Sequence, residues 1–136
     1  MQLQPYVFFE GRCEEALNFY KKALGAEVKM MMRFKDAPDP AMCPPNMGEK
    51  IMHGEARIGN SSLMASDGHC QQSATFTGFS LSLTPDTEAE ATKYFNALSD
   101  GGKVQMPLSK TFFAKSFGMV ADKFGVSWMI YVPAQH

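Results

Sequence analysis

Three ionisable side chains alternate with small and apolar ones in IMHGEARIG, residues 51–59: His53, Glu55 and Arg57. An imidazole moves protons near neutral pH, a carboxylate can take one, and a guanidinium can hold the anionic or carbonyl end of a ligand. In an extended strand, residues two apart project from one face at a spacing of about 7 Å, so the three form a single row. Met52, Gly54, Ala56 and Ile58 then make up the opposite, apolar set. Two readings follow. Either the apolar set packs under a helix and the row lines a cavity, or the row is a solvated ion-pair ladder on an exposed strand. Both stay open on the sequence. Cys13, Cys43 and Cys70 are odd in number, widely spaced and contain no C-x-x-C, so reduced thiols are expected, with neither a disulfide framework nor a zinc knuckle. His69-Cys70 lies in the polar stretch SDGHCQQSAT without a second ligand pair, so it reads as a loop. No metal and no cofactor are expected.

The row needs elements to hold it. Alternation of period two predicts strands at Tyr6 to Phe9, Val28 to Phe34, Ile51 to Ile58 and Ser62 to Ser66, with Gly59-Asn60 as a tight hairpin turn. In CEEALNFYKKALG, residues Cys13, Ala16, Leu17, Tyr20, Ala23 and Leu24 recur at helical spacing; Glu14 and Glu15 suit the first turn and Gly25 the stop. The second half repeats this order. A strand GFSLSLT precedes Thr84-Pro85-Asp86, read as the helix start, then a helix with Ala91, Tyr94, Phe95 and Leu98 on one face, closed by Gly101-Gly102. Strands are predicted at Lys103 to Pro107, Ser116 to Ala121 and Val126 to Val132. Local echoes, NFYKKALGAEVKM with KYFNALSDGGKVQM and RIGNSSLM with KFGVSWMI, support duplication at a period of about 75 residues. The expected fold is α+β, one domain over residues 1–136 built of two βαβββ modules, about 1–67 and 76–134.

At 136 residues the chain suits one hydrophobic core. A net charge of -1 and a pI near 6.3 supply no general basic field, so nucleic acid is not an expected partner. MQLQPYVFFEG lacks the charged start and small-residue cleavage pattern of a signal peptide, and no apolar stretch reaches the roughly 18 residues of a membrane span. A soluble cytoplasmic protein without membrane partners is expected.

The segments PYVFFEG, EEALNFYKKALGAEV, IMHGEARIGNSSLMASD, FTGFSLSL and TFFAKSFGMVADKFGVSWMIYV resemble the PhnB-like branch of the glyoxalase, bleomycin-resistance and dioxygenase superfamily, the vicinal oxygen chelate proteins. The most specific pieces are FG-x-V-x-D-x-FG-x-x-W at Phe117 to Trp128 and H-x-x-x-R-I-G at His53 to Gly59. The resemblance implies two paired modules whose curved mixed sheets form a cup with helices on the convex side, and commonly a homodimer. In metal-using members of the superfamily, two His and two carboxylates, or a close variant, converge from four strands. Carried over by position, the final-strand carboxylate falls on Met129, the strand-opening His on Gln4 or Pro5 and on Gly78 or Phe79, and the first-module carboxylate within Leu63 to Ala65. None of these is a good ligand for a divalent ion.

Alternation in the last strand puts Val126, Trp128, Ile130 and Val132 under a helix, with Trp128 in the core, and Ser127, Met129 and Tyr131 on the other face. The same logic places Ser80 and Ser82 inside, with Tyr6 and Phe8 from the first strand. The proline-rich KDAPDPAMCPPNMGEK and the pair Phe112-Phe113 are candidate lids. Such a cup suits a small organic ligand with an aromatic or apolar body and one anionic or carbonyl end, held by Arg57, with His53 and Glu55 as candidate catalytic groups. The expected function is metal-free binding of a small molecule, with the reaction unassigned. The alternative is a metal-dependent glyoxalase- or dioxygenase-type lyase or isomerase. Proteins resembling this branch are often named demethylubiquinone methyltransferases; neither GAEVKM nor GFSLSL supplies the glycine-rich turn of a methyl-donor site, so that activity is not expected.

Overall fold

Cys13, Ala16, Leu17, Tyr20, Ala23 and Leu24 are all buried along helix α1 (Cys13–Leu24) of the computed structural model. Their spacing forms one apolar stripe, and Gly25 ends the helix in the left-handed conformation, φ 68°, which costs glycine no Cβ clash. Residues 1–37, 46–68 and 74–134 are described; Cys43, His69, Cys70 and half of the proline-rich candidate lid, residues 38–45, lie outside them. The chain divides into two compact units, Met1–Ala74 and Thr75–His136.

The first unit contains β1 (Tyr6–Phe8), α1, β2 (Glu27–Arg33), β3 (Ile51–Ile58) and β4 (Ser61–Ser66). Its sheet has the order β1-β4-β3-β2, with β1 parallel to β4 and the other pairs antiparallel. The second unit contains β5 (Leu81–Leu83), α2 (Glu88–Ser99), β6 (Lys103–Ser109), β7 (Ala114–Ala121) and β8 (Ser127–Pro133), in the order β5-β8-β7-β6 with β5 parallel to β8. Each unit is therefore βαβββ with one topology, as the repeated sequence order predicts. Gly59, φ 60°, opens the two-residue hairpin that pairs Ile58 with Ser61.

Some boundaries shift. Helix α2 starts after Thr87, not at Thr84-Pro85-Asp86, because the Thr87 hydroxyl accepts from the Glu90 amide three residues on, a side-chain cap that the upstream triplet does not make. Strand β2 stops at Arg33, and Phe34–Asp36 turn as a 3-10 segment with Phe34 buried.

One face of each sheet carries its helix. In the first unit Gly54 and Ala56 are buried beneath α1, and a methyl on Gly54 would lie 2.9 Å from Leu17 Cδ1. In the second unit Val120, Val126, Trp128, Ile130 and Val132 are buried, together with Ala91, Phe95 and Leu98 of α2; Tyr94 is only half-buried. Gly118 is pinched, since a Cβ there would meet Phe95 Cε2 at 2.8 Å and Leu108 Cα at 3.1 Å. Gly118→Ala is therefore expected to cost about 1 to 3 kcal/mol by overpacking against ring and backbone, read as a lower urea midpoint.

Candidate functional site

Register fixes what lies on the face of the first sheet opposite α1. Tyr6 pairs with Met64 and Phe8 with Ser66; Met64 pairs with Glu55 and Ser62 with Arg57; Met32 pairs with His53 and Met30 with Glu55. Paired residues share a face, so His53, Glu55 and Arg57 stand on the open side with Tyr6, Phe8, Met30, Met32 and Met64.

The centre of this face is a contact that reaches across β4. Tyr6 Oη lies 2.8 Å from His53 Nδ1. The Tyr6 ring sits 5.0 Å from Phe8 and 5.5 Å from the imidazole, and Phe8 remains 50% exposed. Burial pushes the Tyr6 phenol above its ordinary pKa, against a smaller opposing effect of a hydrogen bond with Ser66, so the phenol keeps its proton at neutral pH. Arg57 behaves differently. Its Nε donates to the Gly59 carbonyl at 3.2 Å, at the hairpin end of the strand, and among the described residues no ion pair joins it to Glu55. The row exists as one face, yet its chemistry gathers at the His53 end.

The open face of the second sheet pairs Ser82 with Met129 and, through β7, Met129 with Met119 and Tyr131 with Phe117. Ser80 and Ser127 hydroxyls lie 2.8 Å apart, and Ser127 donates to Gln105 Oε1 at 3.0 Å. Phe113 packs on Phe117 and Tyr131, with ring centroids 5.3 and 6.1 Å away, while Phe112 is 94% exposed beside it. Of the candidate lid pair, one ring is thus seated and the other projects.

Gln105 and the buried Asp67 carry no motif in the sequence, whereas Met64 lies in the span Leu63 to Ala65 and the buried Asp122 is the acidic residue of the motif at Phe117 to Trp128. Asp67 accepts from the amides of Gly11, Cys13 and Ile51 at 2.7 to 2.9 Å. Asp122 accepts from the amides of Phe124 and Val126 and from Trp128 Nε1 at 2.9 to 3.1 Å. Both carboxylates are occupied by structural donors. Cys13 is buried beside Asp67, and burial first, then the neighbouring Asp67 charge, pushes its thiol far up and leaves it unreactive. A depression of about 260 Å³ is lined by Gly11, Glu14, Arg33, Glu49, Lys50, Ile51 and Asp67. Its charged groups are already engaged: Arg33 Nη2 meets Glu14 at 2.8 Å and holds that carboxyl below its usual range, and Lys50 Nζ donates to the Gly11 backbone carbonyl at 2.8 Å. Among the described residues no three His, Cys, Asp or Glu side chains converge as ion ligands, and no helix is long and apolar enough to cross a membrane.

Residues 1–131 match the family described as 3-demethylubiquinone-9 3-methyltransferase. The chain belongs to that family. It is 38% identical to Protein YjdN of Escherichia coli K12 over 143 residues, covering 99% of this chain and 97% of the other. Protein PA1353 of Pseudomonas aeruginosa is similar in structure, with a TM-score of 0.88, 43% identity and 99% of each chain covered. The PhnB protein from Bacillus cereus follows with a TM-score of 0.80, 30% identity, and 97% of this chain and 99% of that one covered. A glyoxalase-related enzyme from Fulvimarina pelagi and the fosfomycin resistance protein FosX from Mesorhizobium loti share the fold, with TM-scores of 0.62 and 0.61 at 15% and 9% identity. The likeness to the PhnB protein agrees with the PhnB-like family that the motifs at His53 to Gly59 and Phe117 to Trp128 imply, and the two more distant structures show that its fold is shared with glyoxalase-related proteins.

Proposed function

We propose that the protein binds a small organic molecule on the open face of its first sheet, without the ion of its metal-using relatives. The observation that carries this reading is the 2.8 Å contact of Tyr6 Oη with His53 Nδ1, set among exposed Phe8 and Met30. An aromatic or apolar body fits the rings and thioethers, and an anionic or carbonyl end fits the polar pair. The Ser80, Ser82 and Ser127 hydroxyls beside Met129 and Tyr131 give the second sheet a face of the same character. Exposed Phe79, Val104, Met106 and Phe112 support a homodimer as the working form.

The residues at the inherited ligand positions do not fit an ion. The middle of β8 carries Met129, and on β4 the open-face residue within Leu63 to Ala65 is Met64. A thioether has neither the charge nor the hard donor that such an ion wants. The metal-dependent reading needs His53 and Glu55 as a new pair plus a third ligand. Metal analysis of untagged protein separates the two, and a stoichiometric ion lost in His53→Ala would establish the metal reading. For the methyltransferase reading, S-adenosylmethionine is the probe. Four-stranded mixed sheets are not the doubly wound parallel sheet that builds a methyl-donor crevice, and saturable calorimetric binding of that donor would contradict the proposal.

A thermal-shift screen with small aromatic acids, quinones and thiol adducts tests the site. His53→Ala is expected to weaken a stabilising ligand about tenfold or more, the worth of one hydrogen bond to a charged group. Arg57→Ala should weaken it less, because Arg57 is spent on Gly59. Equal stabilisation of the wild type and both variants would remove the row from the site.

A further inference from the structure

We infer, resting on the first-sheet site proposed above, that Glu55 selects the ligand's charge, and that the ligand carries a protonated amine besides its aromatic body and acceptor end. The sequence suggests a proton acceptor at this position. Its surroundings are those of a seat for a cation.

Gly54 fixes the direction in which Glu55 points. A methyl on Gly54 would lie 2.9 Å from Leu17 Cδ1, so that position faces α1 and the residues on either side of it, His53 and Glu55, face the open side. Across the strands Glu55 is paired with Met30 of β2 and with Met64 of β4, and Met64 is paired in turn with Tyr6 of β1. Both cross-strand neighbours of Glu55 are thioethers, which have no proton to donate and no charge to offer. Glu55 is half-buried between them, and among the described residues its carboxylate makes no hydrogen bond and no ion pair.

The two cations closest along the strands are engaged elsewhere. Lys29 Nζ meets Glu27 at 2.9 Å, and Arg57, the next residue of the row, is exposed and gives its Nε to the Gly59 carbonyl. A half-buried carboxylate without a donor gains most from a partner that brings both a positive charge and N–H groups. An ammonium brings both. The aromatic side of the face adds to the preference, because Tyr6 and Phe8 leave 38% and 50% of their surface open and a ring face attracts a cation. Residues two apart on a strand are separated by about 7 Å, so an acceptor end at the Tyr6–His53 pair and an ammonium at Glu55 suit opposite ends of one para-substituted benzene ring.

The test is calorimetric titration of the full-length protein with two compounds of one shape, 4-(aminomethyl)benzoate and 4-ethylbenzoate, in which an ammonium replaces a methyl. The amine is expected to bind about fivefold more tightly, the worth of a partly exposed charge pair, and to lose that advantage in Glu55→Gln. His53→Ala should weaken both compounds alike. Equal or tighter binding of 4-ethylbenzoate to the wild type overturns the inference and leaves the first-sheet site standing. An amine advantage that persists in Glu55→Gln overturns the assignment to Glu55. Should that variant not fold, the wild-type pair decides in rising salt: sodium chloride taken from about 0.05 to 0.5 M is expected to erase most of the advantage, and an advantage that salt leaves unmoved overturns the charge pairing. Binding of neither compound overturns the site reading and this inference together.

Discussion

Asp67→Ala is expected to remove about 3 to 5 kcal/mol of folding stability, although the residue touches nothing on the open face. The carboxylate is 1% exposed and serves three amides at once: Oδ1 takes Gly11 and Cys13, and Oδ2 takes Ile51. Alanine leaves three donors without that partner, each at about 1 kcal/mol or more. The Asp67 amide also donates to the Ile51 carbonyl at 2.8 Å, so one residue ties the end of β4 to the start of β3 and to the first turn of α1. Asp67→Asn should fall between, because its oxygen can serve one side while its NH2 group confronts a donor on the other. Urea unfolding followed by far-UV circular dichroism reads both. A loss below about 1 kcal/mol for Asp67→Ala would mean that the amides find water or other acceptors, and that this knot does not set the His53 strand.

The second large effect belongs to the other unit. Trp128→Ala should cost about 3 to 5 kcal/mol, combining lost apolar burial with a cavity beneath α2. The indole is 2% exposed, flanked on its own face by Val126 and Ile130, and its Nε1 donates to Asp122 Oδ2 at 2.9 Å. Trp128→Phe retains most of the ring and forfeits that bond, so about 1 to 3 kcal/mol is expected. Ligand binding on the first sheet should be unchanged in both variants at temperatures where they fold. If Trp128→Phe were neutral in stability yet abolished ligand binding, the indole would be part of the site and not of the core.

Those two residues show where the sequence is informative. Trp128 is legible as core because alternation in GVSWMIYV gives one face three aliphatics and a large ring, and burial must go to that face. Strand β3 is legible for the same reason, to the residue, since period two separates His53, Glu55 and Arg57 from Gly54 and Ala56. Asp67 carries no such signal. It follows a strand in a run of small and polar residues, and its three partners are contributed by segments 16 to 56 positions away. The Tyr6–His53 contact is hidden similarly: the two strands are not neighbours, and only the order β1-β4-β3 brings a phenol long enough to cross β4 onto an imidazole. Arg57 illustrates the limit of a face argument. Alternation gives its side of the sheet, whereas its long stem turns to the hairpin carbonyl at Gly59.

The most direct test of the central claim uses the methionine methyls as reporters, in a ¹³C-methyl-methionine spectrum recorded while the strongest compound from the screen is titrated in. Met30, Met32 and Met64 share the open face with His53, while Met31 pairs with Gly54 on the side of α1. Shifts at Met32 and Met64 that saturate with the compound, beside an unmoved Met31, are the predicted result. Saturable shifts that leave Met32 and Met64 in place would put the ligand elsewhere and contradict the account.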